Sequence, residues 1–311
     1  MQLISGVLIR KIVILGSLNI DIRVRRPEDR TGLMGDGVAC GMGGKGANMA
    51  VAAHRLGAEV ELHSKVGDDL FGRVLIEHLA DEGIGTSGIR IGKGIGSCLS
   101  LLIIDRDGGY TNTRGGVGYK SMSKGEVDAI KLDGSEIAIS ALSFPPRRIL
   151  DFFRKAKRKG CTTVLNCGPK VKAGKELLGL SDYLIMNDAE FAFHLGLGRM
   201  KIDAGRVESL AARIRRAGQV LIVTMGRRGF VAISDEGTVV EDGHKVSAVD
   251  TTGAGDSFIG AFAACVSKGK GLRESLEFAN AAAAISVQRH GAAGSMPKDK
   301  EVRAFLEKRG I

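Results

Sequence analysis

An α/β fold is what this sequence predicts: a mainly parallel sheet between two layers of helices, with a small β layer standing off it. Three observations carry the expectation. Short β-branched runs alternate along the chain with segments whose apolar residues recur at helical spacing. Two stretches break that rhythm, reading as strands and turns with no helix between them. The 311 residues suffice for one large domain with a sizeable core, and neither a linker nor an internal repeat interrupts them.

The first strand is "KIVIL" (11–15), β-branched as a buried pleated surface favours. It leads through "GSLNID" into the first helix-free stretch, "SLNIDIRVRRPEDRTGLMGDGVACG" (17–41). A glycine turn then opens "GANMAVAAHRLG" (46–57), which keeps helical spacing up to a closing Gly57. "VELHSKV" (60–66) and "LFGRVLIEHLADEG" (70–83) repeat the strand–helix order. The second helix-free stretch, "SCLSLLIIDRDGGYTNTRGGVG" (97–118), begins as a strand. The two stretches are expected to pair as a small antiparallel layer, formed by about 18–41 and 97–116, on a single domain spanning 1–311.

Four more strands follow: "EIAISAL" (136–142), "TTVLN" (162–166), "YLIMN" (183–187) and "QVLIVTM" (219–225). Between them lie helical "PPRRILDFFRKAKRKG" (145–160), "NDAEFAFHLG" (187–196) and "AGRVESLAARIRRAG" (204–218). Strand–helix–strand order repeated this often argues for a parallel sheet with helices on both faces. "GFVAISDEGTVVEDG" (229–243) reads as a hairpin turning at Glu236-Gly237. The remainder is helical, through "GDSFIGAFAACVSKG" (255–269), "LRESLEFANAAAAISVQRHG" (272–291) and "DKEVRAFLEKRG" (299–310).

Composition narrows the function classes. A 44% hydrophobic fraction is that of an ordinary soluble globular protein. The chain has 45 Gly against 5 Pro, scattered rather than clustered, which implies many tight turns and close backbone approaches. Net charge is +10, with basic residues in separate places: "RVRRPEDR", "PPRRILDFFRKAKRKG" and "RIRR". The last two read as solvated helix faces. Trp is absent and no aromatic residues interleave with the basic runs, so a nucleic-acid surface is not expected. The 5 cysteines never stand as CxxC, so neither a zinc site nor a disulfide framework follows, and Cys98 and Cys265 read as core. The six histidines share no metal-ligand spacing. No secretory leader is legible at the start, and no segment reaches the ~20 apolar residues of a membrane span. The expectation is a cytoplasmic protein with no membrane partner.

Two glycine motifs hold the chemistry. "GMGGKG" (41–46) matches GxGxxG, but no good strand precedes it, and Lys45 is followed by Gly46 rather than Ser or Thr. It is therefore neither a dinucleotide fingerprint nor a Walker A loop; it is a glycine turn opening a helix, with Asn48 in the first turn. "DTTGAGDSF" (250–258) is more informative. Gly253 and Gly255 permit close approach, and the free amides of a helix start make an anion cradle. Asp256 would suffice as a capping acid alone, yet a cap needs no glycine-rich approach. With a phosphate on the amides, the carboxylate is placed to take a proton from an attacking hydroxyl, as phosphoryl transfer requires.

"GSLNID", "GGKGANMAVAAHRLGAEVELHSKVGDDLFG", "DTTGAGD" and "HGAAGSMP" together, in this order and spacing, resemble the ribokinase-type (PfkB) carbohydrate kinases over nearly the whole chain. The resemblance implies a three-layer, ribokinase-like sandwich with a small β lid over the sugar. It also implies an ATP-dependent sugar kinase that needs Mg²⁺, and in some members K⁺. By position, Asn19 and Asp21 match ligands of the sugar hydroxyls, and Gly43, Gly44 and Asn48 the floor of the sugar site. Asp256 matches the catalytic base, and Gly253, Ala254 and Gly255 the anion hole. Asn187 and Glu190 of "NDAE" match positions near phosphate and Mg²⁺, the latter through water. Thr224, Gly226 and Gly229 of "TMGRRG" match the nucleotide loop, and Asn280 a position beside the adenine. Asp250, Thr252, Ser286, Arg289, Gly291 and Ser295 match a monovalent-cation site built mostly from carbonyl oxygens.

Some features depart from ribokinases proper. Those have an acidic, sugar-binding residue after the strand that is "EIAISAL" here; this chain has Ser143. The first lid stretch is basic, with Arg23, Arg25 and Arg26, and the second carries Tyr110 and Arg114, an arrangement similar to fructokinases and ketodeoxygluconate kinases. The substrate expected is a small sugar of ketose or acidic character, with Arg114 reading an anionic group. A nucleoside kinase of the same fold is the alternative; the lid stretches offer only Tyr110 and Tyr119 to stack on a base. A catalytically silent sugar-binding protein is a further alternative, against which the intact "GAGD" stands. A homodimer through an exposed lid edge is expected, since such an edge invites pairing.

Overall fold

Parallel strands that begin in the middle of a sheet and wind outward in both directions organise this chain. The structure, a computed structural model, describes residues 2–4, 7–25, 38–104, 110–134, 136–198 and 200–310. Arg26 and the lid positions 26–37 and 105–109 lie outside the described residues, as do the side chains of Arg25 and Tyr110.

The chain opens with β1 (Gln2–Ile4) and β2 (Val7–Ile9), an antiparallel pair of their own. There follow β3 (Ile12–Leu15), β4 (Asn19–Arg25), β5 (Val38–Gly43), α1 (Lys45–Arg55), β6 (Val60–Gly67), α2 (Leu70–Asp81) and β7 (Ile89–Gly92). Next come β8 (Leu99–Ile104), β9 (Tyr110–Gly115), α3 (Lys124–Asp128), β10 (Ile137–Ala141), α4 (Pro146–Lys159), β11 (Thr162–Asn166) and α5 (Lys175–Gly179). Then β12 (Tyr183–Asn187), α6 (Asp188–Leu195), α7 (Ala204–Leu210) and β13 (Val220–Thr224) lead to the hairpin β14 (Phe230–Ser234) and β15 (Gly237–Glu241). The chain closes with α8 (Ala254–Ser267), α9 (Leu272–Ser286) and α10 (Asp299–Glu307).

Helix ends follow the local chemistry. Pro146 opens α4, Gly160 ends it in the left-handed conformation, and Lys157, Arg158 and Lys159 sit favourably in its last turn. The expected helix over 204–218 is shorter: α7 stops at Leu210 and a 3₁₀ turn, Ala211–Arg213, replaces its continuation. The basic faces are solvated and paired, as in Arg154 with Glu176 and Lys157 with Asp182.

The main sheet has nine strands in the order β15-β14-β13-β12-β11-β10-β3-β6-β7. Every pair from β13 to β7 is parallel, and only the β13–β14–β15 edge is antiparallel. Alternation sends strand residues into two cores. Ile12, Ile14, Ile137 and Ile139 pack towards α1, α8 and α9, while Val13, Leu15 and Ala138 pack towards α4 and α6. These are the three expected layers. The winding reverses between β3 and β10, and open α/β sheets bind ligands outside the carboxyl ends of strands at such a switch point.

The lid is a separate four-stranded sheet, β5-β4-β8-β9. It is not wholly antiparallel: β4 pairs with β8 in parallel, flanked by antiparallel partners. Both hairpins leave the body in the same sense, so the strands that begin them meet side by side. Asn19, Asp21 and Arg23 alternate onto one face, where Asp21 lies opposite Ser100, and Ser100 opposite Arg114.

Candidate active site

The carboxyl ends of the central strands carry polar side chains in a row. Ser17 follows β3, Ser143 follows β10, and their hydroxyls meet at 3.0 Å across the switch point. Asn166 ends β11, while Asn187 and Thr224, paired in register, end β12 and β13. Two cavities of about 220 Å³ each open above this row. The first lies under the lid and is bounded by Asn19, Asp21, Asn48, Arg114 and Ser143. The second is bounded by Asn166, Asn187, Glu190, Thr224 and the Ala254–Gly255 turn. Lys45, Gly253 and Asp256 line both.

Two helix N-termini converge at that junction. α8 begins after Gly253, which has φ 79° and no side-chain cap. A Cβ there would stand 3.2 Å from Met296 Cε and 3.3 Å from Ala292 Cα, so the turn needs glycine for conformation and for space. Among the described residues, the amides of Gly255 and Asp256 donate to no protein acceptor, which leaves them free for an anion. Lys45 stands in the first turn of α1, just after Gly44.

Asp256 is 3% exposed, and its carboxylate is held from several sides. Asn48 Nδ2 donates to it at 2.9 Å, Lys45 Nζ at 3.3 Å and Asn166 Nδ2 at 3.4 Å. Asp256 in turn raises the Lys45 ammonium above its ordinary value, outweighing the opposing effect of burial. Lys45 therefore stays protonated throughout the neutral range. Asn48 Oδ1 is buried with no hydrogen-bond partner.

On the lid, Asn19 Nδ2 donates to Asp21 Oδ1 at 2.7 Å. Burial pushes the Asp21 carboxyl above its usual range, against the lowering effects of Arg23, Asn19 and Arg114. Gly43 lies so close to the Asp21 carboxylate that any Cβ would collide with it, so glycine there lets the acid face the cavity. Tyr119 borders the same cavity but is stacked on Phe144, 5.6 Å between centroids, and burial pushes its hydroxyl up to about 12.

Other expected site residues stand further from the junction or are partly committed. Asn187 and Glu190 form the capping box of α6, Asn187 Oδ1 accepting from the Glu190 amide and Glu190 Oε2 from the Asn187 amide. Both still border the second cavity. Gly226 and Gly229 shape the turn between β13 and β14 and lie outside the residues that line it. Asn280 Nδ2 donates to Glu241 Oε1 at 3.1 Å and to the Asp242 carbonyl at 2.9 Å, which ties α9 to the end of β15.

The cation residues gather beside the glycine turn. Asp250 accepts from the Thr252 amide at 2.9 Å and the Gly291 amide at 3.0 Å, and Arg23 Nη1 lies 3.7 Å away. Burial would raise the Asp250 carboxyl, but these groups hold it below its ordinary value. The Ser286 and Ser295 hydroxyls donate to the carbonyls of Ala283 and Ala292, and the Arg289 side chain turns away to Glu301. Among the described residues no group of three or more His, Cys, Asp or Glu side chains forms a metal cluster.

Lys45 and Asn166 are the functional candidates that sequence reading passed over. Lys45 drew attention only as a failed Walker A lysine. Asn166 carried a legible signal: it is the polar residue that ends a buried strand, like Asn187 and Thr224.

Comparison with known proteins agrees with this geometry. Residues 9–299 match the profile of the pfkB family carbohydrate kinases. The chain is 31% identical to the ribokinase of Schizosaccharomyces pombe, over 94% of this chain and 96% of that one. It is also 31% identical to the ribokinase of Staphylococcus aureus, over 94% and 98%. Among solved structures, Arabidopsis thaliana ribokinase complexed with ribose and ATP superposes with a TM-score of 0.85 at 25% identity, covering 96% of this chain and 99% of that one. Thermotoga maritima ribokinase gives 0.81 at 28%, covering 95% and 99%. A carboxylate and a glycine-flanked helix start at the meeting of two cavities, on this fold and with these relatives, show that the chain belongs to the pfkB family of ATP-dependent carbohydrate kinases, phosphotransferases with an alcohol group as acceptor.

Proposed function

We propose that the chain transfers the γ-phosphoryl group of ATP to a hydroxyl of a small sugar built on a ribose-type frame. The observation that carries the reading is the shared border of the two cavities, where Asp256, Lys45 and Gly253 face both. A sugar under the lid and a nucleotide phosphate over the Gly253–Gly255 turn would meet there. The ribose frame rests on the relatives named ribokinase, and it narrows the ketose expectation. The nucleoside alternative loses support because Tyr119 is already stacked within the protein.

Each residue then has a physical task. Asp256 accepts the proton of the attacking hydroxyl, and a positioned base of this kind contributes ~10²–10⁴-fold. Asn19, Asp21 and Asn48 align the sugar over Gly43 and Gly44. The free amides of Gly255 and Asp256, presented by the Gly253-Ala254 turn whose Ala254 amide is bonded to the Thr251 carbonyl at 3.3 Å, and the Lys45 ammonium stabilise the moving negative charge. Thr224, Gly226, Gly229, Asn187 and Asn280 bind the nucleotide.

Mg²⁺ fits beside Glu190, which borders the phosphate cavity and can hold this ion through water together with substrate phosphates. When bound, it neutralises charge on the phosphates. K⁺ fits less fully at Asp250, Thr252, Ser286, Arg289, Gly291 and Ser295. The Asp250 carboxylate stays ionised there, but Arg23 already supplies it with a positive charge. A coupled ADP-release screen over pentoses, hexoses, acidic sugars and nucleosides tests the reading. Turnover on a sugar that falls ~10²–10⁴-fold in Asp256→Asn supports it, and turnover confined to nucleosides contradicts it.

A further inference from the structure

The cavity under the lid carries more positive charge than a neutral sugar can use. Arg23, Lys45, Arg114 and Lys120 line it against two carboxylates, Asp21 and Asp256. Two of the cations are accounted for: Lys45 pairs with Asp256, and Arg23 lies 3.7 Å from Asp250. Arg114 and Lys120 make no ion pair or hydrogen bond among the described residues. Arg114 shares the cavity face of the lid with Asp21 and Ser100, in a single cross-strand row. Asp21 is shared: Asn19 Nδ2 donates to it at 2.7 Å, and Arg23 acts on it as well as Arg114. Lys120 approaches from the Gly118–Ser121 turn below the lid.

These cations are not placed for the nucleotide. Of the four, only Lys45 borders the phosphate cavity. Over a neutral sugar, Arg114 and Lys120 would exchange water for hydroxyl acceptors and gain no counter-charge. A guanidinium free of protein partners instead suits a phosphate or carboxylate, which it binds bidentately. Ser143 at the switch point adds no negative charge to oppose such a group.

We propose that the preferred acceptor sugar carries an anionic substituent, a phosphate or a carboxylate, held by Arg114 and Lys120. The inference rests on the kinase reading for its reaction, but the binding it describes stands apart from turnover. The test compares kcat/KM for ADP release on ribose and fructose with that on ribose 1-phosphate, fructose 1-phosphate, fructose 6-phosphate and ribonate. At least one anionic sugar is expected to exceed its neutral parent by about a hundredfold, the scale of one or two charge-assisted hydrogen bonds. In Arg114→Ala and Lys120→Ala that ratio is expected to fall about tenfold or more, mainly through KM. Both side chains are exposed and unpaired, and thermal melting checks that the fold is kept.

Neutral parents used as well as every anionic sugar would overturn the proposal. So would variants that lower kcat alike on both kinds of substrate, which would make Arg114 a clamp on the transferred phosphoryl group. If no sugar releases ADP, the kinase reading fails, and calorimetric titration of the wild-type chain without nucleotide decides the rest. Tighter binding of an anionic sugar than of its parent supports the site, and equal or weaker binding overturns it.

Discussion

Lys45 and Asp256 sit 3.3 Å apart at the border of two cavities, and the carboxylate raises the ammonium above its ordinary value. The ammonium is locked on by the carboxylate, so it can serve as a fixed positive charge beside a migrating phosphoryl group while the acid takes the proton. Lys45→Ala is expected to lower kcat about 10²–10³-fold, as loss of one preorganised donor does elsewhere, with sugar KM changed far less; steady-state kinetics checks this. Asp21 illustrates a cost accepted for function. Its folded pKa is raised, so its contribution to stability falls as pH climbs from the ordinary carboxyl value through the folded one, and stays lost at neutrality. Asp21→Asn is therefore expected to raise the Tm of the ligand-free protein at pH 7 while raising the sugar KM. A lower Tm would show that the ionised acid stabilises the fold.

At the scale of elements, the start of α8 is the part that a small change damages most. Gly253→Ala forces a side chain into the left-handed region, at ~1–2 kcal/mol, and drives a methyl towards Met296 and Ala292. Loss of stability of that size, with a larger loss of kcat because the free amides shift, is the expected outcome of denaturant unfolding and kinetics. Wild-type stability and activity in this variant would mean that the turn is not held where the model of catalysis needs it. The glycine turns and the strand–helix rhythm were legible because local backbone demands dictate them. The pairing of the two helix-free stretches was legible as well, but the parallel sense of the β4–β8 contact was not, since it depends on where two hairpins leave the body, 79 residues apart in sequence, and is invisible to alternation. "NDAE" was legible as a motif, but its capping-box bonds serve the helix as well as the cavity.

For the whole molecule, the switch point between β3 and β10 decides where chemistry can occur. It brings Ser17 and Ser143 together, ranges Asn166, Asn187 and Thr224 along one sheet edge, and sets α1 and α8 with their N-termini towards that edge. The two glycine motifs announced the site because each must open a helix, whereas Asn166 needed the strand order before its position had meaning. The lid leaves β5 and β9 as edges without a further partner strand among the described residues, and Val38 on β5 is 70% exposed. We expect the chain to dimerise through this sheet, which light scattering at micromolar concentration would show as twice the chain mass; a monomer at that concentration would contradict it. The central claim is met most directly by a crystal structure with a sugar and a non-hydrolysable ATP analogue. The account requires the terminal phosphate on the amides of Gly255 and Asp256 and a sugar hydroxyl within hydrogen-bond reach of the Asp256 carboxylate, whereas a terminal phosphate bound away from that turn would contradict it.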